Sequence, residues 1–190
     1  MKPFLKIAFL ITAFSAFVPS LFAISYDLPE IQNKWLEWTN TERSKYGLPD
    51  YQISEALNIT ASSWSEYSKS RGYIDHKRPG QKLYYDFNKI GGWFNSKGVS
   101  FQKVSKTTFS ESIGWNVYSC KKDDCTERLL SAVKTTFEMY MREKGKKYRP
   151  HYNALINKDF TVVGIGLSVD EKKHKYYITI HYGTKVLVKK

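Results

Sequence analysis

Apolar residues recur at three- and four-residue steps through the first helical stretches of this chain and at two-residue steps near its end. Ile31, Trp35 and Trp38 share one stripe, which predicts a helix over 31–45, with Gly47 and Pro49 as its stop signal. Leu57, Ala61, Trp64 and Tyr67 predict a second helix over 55–71, opened by Ser54 as N-cap and ended by Gly72. Leu129, Leu130, Val133, Phe137 and Tyr140 predict a third over 126–143, closed by Gly145 and Pro150. Strand period appears where Ile113, Trp115 and Val117 alternate with polar or small residues. It returns in Val163, Ile165 and Leu167, and again in Tyr176, Ile178, Ile180 and Tyr182, with 170–174 as the hairpin loop between them. Residues 77–110 are interrupted by Gly91, Gly92 and Gly98, and several short helical or strand pieces fit there. Helices early and paired strands late, without βαβ alternation, give an α+β domain.

The first residues obey a different rule. Lys2 and Lys6 precede an apolar run that Pro19 breaks, with no acidic residue among the first 23. That is the plan of a secretory signal peptide, with cleavage expected near Ala23 or Ser20. The alternative is an uncleaved anchor, since the run approaches a short membrane span. Residues 24–190 then form a single domain with no second long apolar segment. Export also decides the reading of Cys120 and Cys125, which are expected to form a local disulfide outside the reducing cytosol.

Composition sharpens this picture. The chain has 190 residues, a formal charge of +12 and 16% aromatic residues. The aromatic content excludes a disordered chain, and two cysteines exclude a disulfide scaffold or a Cys-rich structural zinc site. Charge alone would suggest nucleic acid, but an exported chain without a binding motif makes that partner unexpected. Without the leader the charge is +10, and it is lopsided: residues 24–64 carry −3 and the remainder +13. The densest run, Arg142 to Arg149, holds five basic residues and Glu143 and ends just before His151. It reads as a solubilising surface, or as a basic rim for an anionic lipid surface, a glycan or an acidic protein.

Among residues that could carry chemistry, no Gly-x-Ser-x-Gly, P-loop or His-Glu-x-x-His pattern occurs. Gly164-Ile-Gly166 resembles a dinucleotide fingerprint but leads into a strand, and Asn58-Ile-Thr60 fits a glycosylation acceptor inside a helix. His76, Glu111 and His151 each border a regular element beside apolar neighbours. Two imidazoles and a carboxylate could bind Zn²⁺ or pass a proton, or could be separate hydrogen-bonded structural residues. Trp35, Trp38, Trp64 and Trp115 are expected in the core. Trp93-Phe94 is expected in a loop packed over the sheet, and His174 and His181 have no nameable partner.

Several segments occur in a familiar order. They are Asn40-Thr-Glu-Arg43, Leu57 to Trp64, His76, Ser110-Glu-Ser-Ile-Gly-Trp115, His151-Tyr-Asn-Ala-Leu155, Val163-Gly-Ile-Gly166 and Tyr176-Tyr-Ile-Thr-Ile180. Together they resemble the CAP superfamily of cysteine-rich secretory, antigen 5 and pathogenesis-related 1 proteins, over roughly residues 32–183. The resemblance implies a three-layer α–β–α sandwich with a mainly antiparallel central sheet. It also implies a cleft where His76, Glu111 and His151 converge, a site that in some members binds Zn²⁺ or another divalent cation. Where the family adds a second Glu this chain has Tyr140. Glu138 faces elsewhere, and Glu143, near the same face, could substitute at longer reach.

The reading that follows is an exported, monomeric binding or interaction module, extracellular, periplasmic or on the cell surface. It requires no cofactor, and its ligand, a lipid or sterol or a host or envelope component, is open. Two alternatives stand beside it. One is a divalent-metal-dependent hydrolase or protease with Glu111 as base. The other is a structural surface protein whose basic face docks on anionic envelope components.

Overall fold

The computed structural model describes residues 24–121 and 123–188. The expected signal peptide falls on residues 1–23, outside the described residues. In chain order the elements are α1 (Leu28–Ser44), β1 (Gln52–Ile53), α2 (Glu55–Arg71), α3 (Phe87–Ser96), β2 (Val99–Phe101) and β3 (Phe109–Val117). Then come α4 (Thr126–Met141), α5 (Pro150–Leu155), β4 (Val162–Asp170), β5 (Lys175–Gly183) and β6 (Val186–Val188). Four strands make a sheet in the order β1-β4-β5-β3, parallel only between β1 and β4, and β2 pairs β6 in a separate antiparallel ribbon. The class is α+β, with helices on both faces of the sheet.

Local signals set the helix ends. Asp27 accepts from the Glu30 N–H and Ser54 from the Leu57 N–H, so both long N-terminal helices begin on a side-chain cap. Gly72 takes a left-handed conformation, φ 79°, and closes α2. In α3, Asp86 caps an amphipathic turn that buries Ile90 and Phe94, which turns the expected Trp93-Phe94 loop into helix.

Period-two alternation then sorts the sheet's faces. Val163, Ile165 and Leu167 on β4 join Tyr176, Ile178, Ile180 and Tyr182 on β5 in a core shared with Ile31 and Trp35 of α1 and Leu129, Val133 and Phe137 of α4. Trp35 stands edge-on to Phe137, with ring centroids 5.3 Å apart. The opposite face of β4 presents Gly164 and Gly166 to α2. A Cβ on Gly164 would lie 2.1 Å from the carbonyl carbon of Leu57, and one on Gly166 2.1 Å from that of Ala61. The glycine pair that resembles a fingerprint thus exists so that a helix backbone can lie directly on a strand. Asn58 spans the same contact, its side-chain oxygen accepting from the Ile165 N–H at 2.9 Å.

Two apolar stripes continue farther than the structure buries them. Tyr67 and Trp115 are exposed, at 39% and 46%. Trp115 is therefore not core, because α2 packs on β4 and β5 and Trp115 lies on the outermost strand, with Lys175 Nζ 3.9 Å above its ring.

Cys120 and Cys125 form the expected disulfide. Their loop is also held by Ser25, which donates its N–H to the Asp123 carbonyl and accepts from the Cys125 N–H. Closing so short a loop stabilises by on the order of 2 kcal/mol. Adding dithiothreitol is expected to lower the melting temperature by about 6 °C. An unchanged melting curve, with reduction confirmed by mass, would show that Ser25 alone holds the loop.

Candidate functional site

Strand register places the central carboxylate. On β3, Glu111 sits opposite His181 of β5, and both side chains point to the α2 face of the sheet. His181 Nε2 lies 2.8 Å from Glu111 Oε2, and its Nδ1 lies 2.9 Å from the Thr60 hydroxyl on α2. An ionised Glu111 accepts from Nε2–H, which leaves Nδ1 as an acceptor facing the Thr60 hydroxyl, whose one proton is shared with the Leu57 carbonyl 3.0 Å away. From the loop after α2, His76 brings Nδ1 to 2.8 Å from Glu111 Oε1. Two residues on, Arg78 donates Nη1 to Oε1 at 2.8 Å and Nη2 to Oε2 at 2.5 Å, a two-pronged ion pair. The Arg78 guanidinium packs in the corner made by Trp64 of α2 and Trp93 of α3, 3.6 and 4.4 Å from ring centroids that lie 5.6 Å from each other.

This environment fixes the charges. Burial by itself would raise the Glu111 carboxyl, but the Arg78 charge and hydrogen bonds, helped by His181 and His76, hold it well below the usual carboxylate range. Burial lowers His181, against the opposing pull of Glu111, so its imidazole is neutral near pH 7. Tyr85 donates no charge here. Its phenol is pushed up to about 12, mainly by burial and then by Glu111, and its hydroxyl accepts from the Glu111 N–H at 3.3 Å.

A second carboxylate–imidazole pair stands on the opposite wall. His151 on α5 brings Nδ1 to 2.5 Å from Glu143 Oε1. Glu143 Oε2 accepts from the backbone N–H groups of His151 and Tyr152, at 3.0 and 3.1 Å, and so caps the first turn of α5. Tyr140 stacks flat on His151, centroids 4.3 Å apart.

Both pairs line one cleft of about 670 Å³. Its remaining walls are largely aromatic, with Tyr84, Tyr85, Phe87 and Phe109 on one side and Tyr148 on the other. Tyr84 and Tyr148 are exposed at the mouth.

Residues 36–182 match the profile of the cysteine-rich secretory protein family, CAP. The chain belongs to the CAP family. It is similar to the uncharacterized protein YkwD of Bacillus subtilis (strain 168), 29% identical over 135 residues, covering 71% of this chain and 41% of that protein. This CAP domain is also similar in fold to an extracellular protein containing an SCP domain from Bacillus anthracis str. Ames, at 20% identity and a TM-score of 0.57. That match covers 83% of this chain and 41% of the other. An outer surface protein from Borrelia burgdorferi gives the same TM-score of 0.57 at 13% identity, over 84% of this chain and 96% of that one. The chain thus spans about two fifths of YkwD and of the Bacillus anthracis protein. The three-layer α–β–α sandwich expected of the family is the fold seen.

Within this CAP domain, His76, Glu111, His151 and Glu143 reach a common cleft, as two separate pairs. Among the described residues, no group of three or more His, Cys, Asp or Glu side chains is disposed to share a metal ion. Sequence reasoning missed Arg78 and left His181 unassigned. A signal existed for His181, which occupies the same strand face as Thr179 and sits opposite Glu111 once the register is known. None existed for Arg78, whose role depends on two tryptophans from separate helices.

Proposed function

We propose that this chain is an exported binding module whose aromatic His/Glu cleft is its contact surface for an extracellular or envelope partner. The observation that carries this reading is the saturation of Glu111. Both of its oxygens are occupied by Arg78 and by two imidazoles, so it has no free lone pair to act as a general base. For the same reason Glu111 does not fit as a ligand to a divalent ion: Arg78 already supplies the positive charge that a metal would bring to it. His76 and His151 each have Nδ1 on a carboxylate, which leaves Nε2 as the ring nitrogen that an ion would have to use, and two imidazoles alone make a weak site. The leader-like first 23 residues support export. So do the descriptions of two similar structures, one as an extracellular protein and one as an outer surface protein. Among the described residues no helix is long and apolar enough to cross a membrane.

Calorimetric titration of the chain with Zn²⁺ is the test. Flat heats are expected. Tight binding that disappears in both His76→Ala and His151→Ala would instead establish a shared metal site and reopen the hydrolase reading.

A further inference from the structure

β3 is the outermost strand of the four-stranded sheet, and its ladder to β5 uses only alternate residues. The Tyr118 N–H donates to the His174 carbonyl and the Thr184 N–H to the Thr108 carbonyl, which fixes the even-numbered residues of β3 as the hydrogen-bonded set. The odd-numbered residues turn their N–H and C=O groups outward. Among the described residues two of these outward N–H groups are met, that of Glu111 by Tyr85 and that of Val117 by the Asn116 side chain. Ile113 and Trp115 lie between them, and among the described residues nothing meets their N–H groups; Trp115 is 46% exposed, and Ile113, 4% exposed, borders the outside only where it lines the cleft.

The surface beside this edge is a trough. The 670 Å³ cleft runs along Phe109, Ser110, Glu111 and Ile113, and a second hollow of about 410 Å³ continues along Ile113, Gly114, Trp115 and Asn116. The two share Ile74 on one wall and Glu143 and His151 on the other. A long sheet edge is ordinarily guarded by a charge, a proline, a bulge or a covering element. β3 has nine residues, and the groove follows most of its length.

We propose that β3 is a strand-addition site, taking an extended acidic peptide as a fifth strand with an apolar side chain seated among Phe87, Phe109 and Tyr85. Backbone pairing selects an extended polypeptide over a lipid tail or a sugar, because only a strand repeats donor and acceptor at the spacing that Ile113 and Trp115 present. Charge selects the acidic class. The loops that supply the cleft walls carry Lys77, Lys82, Lys106, Lys146, Lys147 and Arg149. The acidic residues beside them are engaged within the fold: Asp75 accepts from the Lys77 N–H, Asp86 caps α3 and Glu143 caps α5. The inference deepens the binding-module reading and rests on it.

The test uses the chain with a fluorescein-labelled peptide of alternating Glu with Phe and Val, its Lys-for-Glu counterpart, and phosphatidylglycerol vesicles. The acidic peptide is expected to bind, and hydrogen exchange of the Ile113 and Trp115 amides to slow by about tenfold or more. Proline at position 115 removes an outward N–H while leaving the ladder to β5 intact. Trp115→Pro is therefore expected to weaken binding about tenfold, and Trp115→Val, which keeps the N–H, by no more than about threefold. If Trp115→Pro does not fold, amide exchange in the unsubstituted chain decides. Equal binding by the two variants would overturn the strand-addition site. So would shifts confined to Tyr84 and Tyr148 without amide protection, or capture of vesicles but neither peptide. Cleavage of the labelled peptide, seen by mass spectrometry, would overturn the binding-module reading itself. An intact, unbound peptide overturns only the inference drawn from β3.

Discussion

Arg78→Met is expected to destabilise the domain by about 3–5 kcal/mol, a fall in melting temperature of about 10 °C at pH 7.5. Glu111 is fully enclosed, and the substitution removes the permanent positive charge bonded to it while leaving the carboxylate in place. Methionine fills much of the space against Trp64 and Trp93, so lost packing contributes less than the uncompensated charge. The pH dependence identifies the cause. In the unsubstituted chain Glu111 is held below its unfolded value, so its contribution is present above the unfolded pKa of about 4.3 and is lost as pH falls through the folded one. Without Arg78, burial dominates. Glu111 in the folded site then binds a proton more readily than it does in the unfolded chain. Stability contributed by that proton is lost as pH rises. The gap between the two melting temperatures is therefore expected to be narrow near pH 4.5 and wide near pH 8. A gap of the same size at both would mean that Arg78 acts by packing alone.

Gly164→Ala is expected to be as damaging through another mechanism. Its new methyl group would lie 2.1 Å from the Leu57 carbonyl carbon and 2.4 Å from the Leu57 Cβ. No flexible side chain can yield there, because the obstacle is the backbone of α2 itself. Overpacking of this kind costs about 3 kcal/mol at the upper end of its usual range, and relief requires α2 to lift from β4. That motion would also draw Thr60 from His181 and Trp64 from Arg78, so the cleft should loosen together with the core. Gly92 is the matched control. It lies in α3 with nothing within 4 Å of a Cβ, and Gly92→Ala is expected to stabilise by about 0.5–1 kcal/mol. Urea unfolding of both variants checks the pair. A Gly164→Ala midpoint within error of the unsubstituted chain would refute the close approach.

The same glycines mark where sequence reading stopped. Gly164-Ile-Gly166 stood out as a motif, but a motif gives no partner, and the partner is a helix about a hundred residues away in sequence. Trp115 shows the opposite failure. Its alternation with Ile113 and Val117 correctly marked a strand, yet period two says which residues share a face and not whether anything covers that face. Glu143 lies between these cases. Its position on the same helical face as the expected carboxylate was legible, but its reach to His151 depends on the turn through Gly145 to Pro150, and its second task of capping α5 was not.

The sequence determined the three long helices, the closing hairpin and the disulfide, and with the family resemblance it pointed to three of the four cleft residues, with Glu143 as a candidate for the fourth. The helices, hairpin and disulfide rest on local chemistry, namely caps, periodicity and residue types at short spacing, whereas the cleft residues were implied by the family resemblance. Only the tertiary structure decided that these residues form two separate carboxylate–imidazole pairs, that Arg78 and His181 close around Glu111, and that β3 is left as an open edge along the cleft. Those outcomes depend on strand order and on contacts between residues 33 to 70 positions apart, such as Arg78 or His181 with Glu111. A local pattern carries no record of such distances, because register and layer packing are set by the whole core at once.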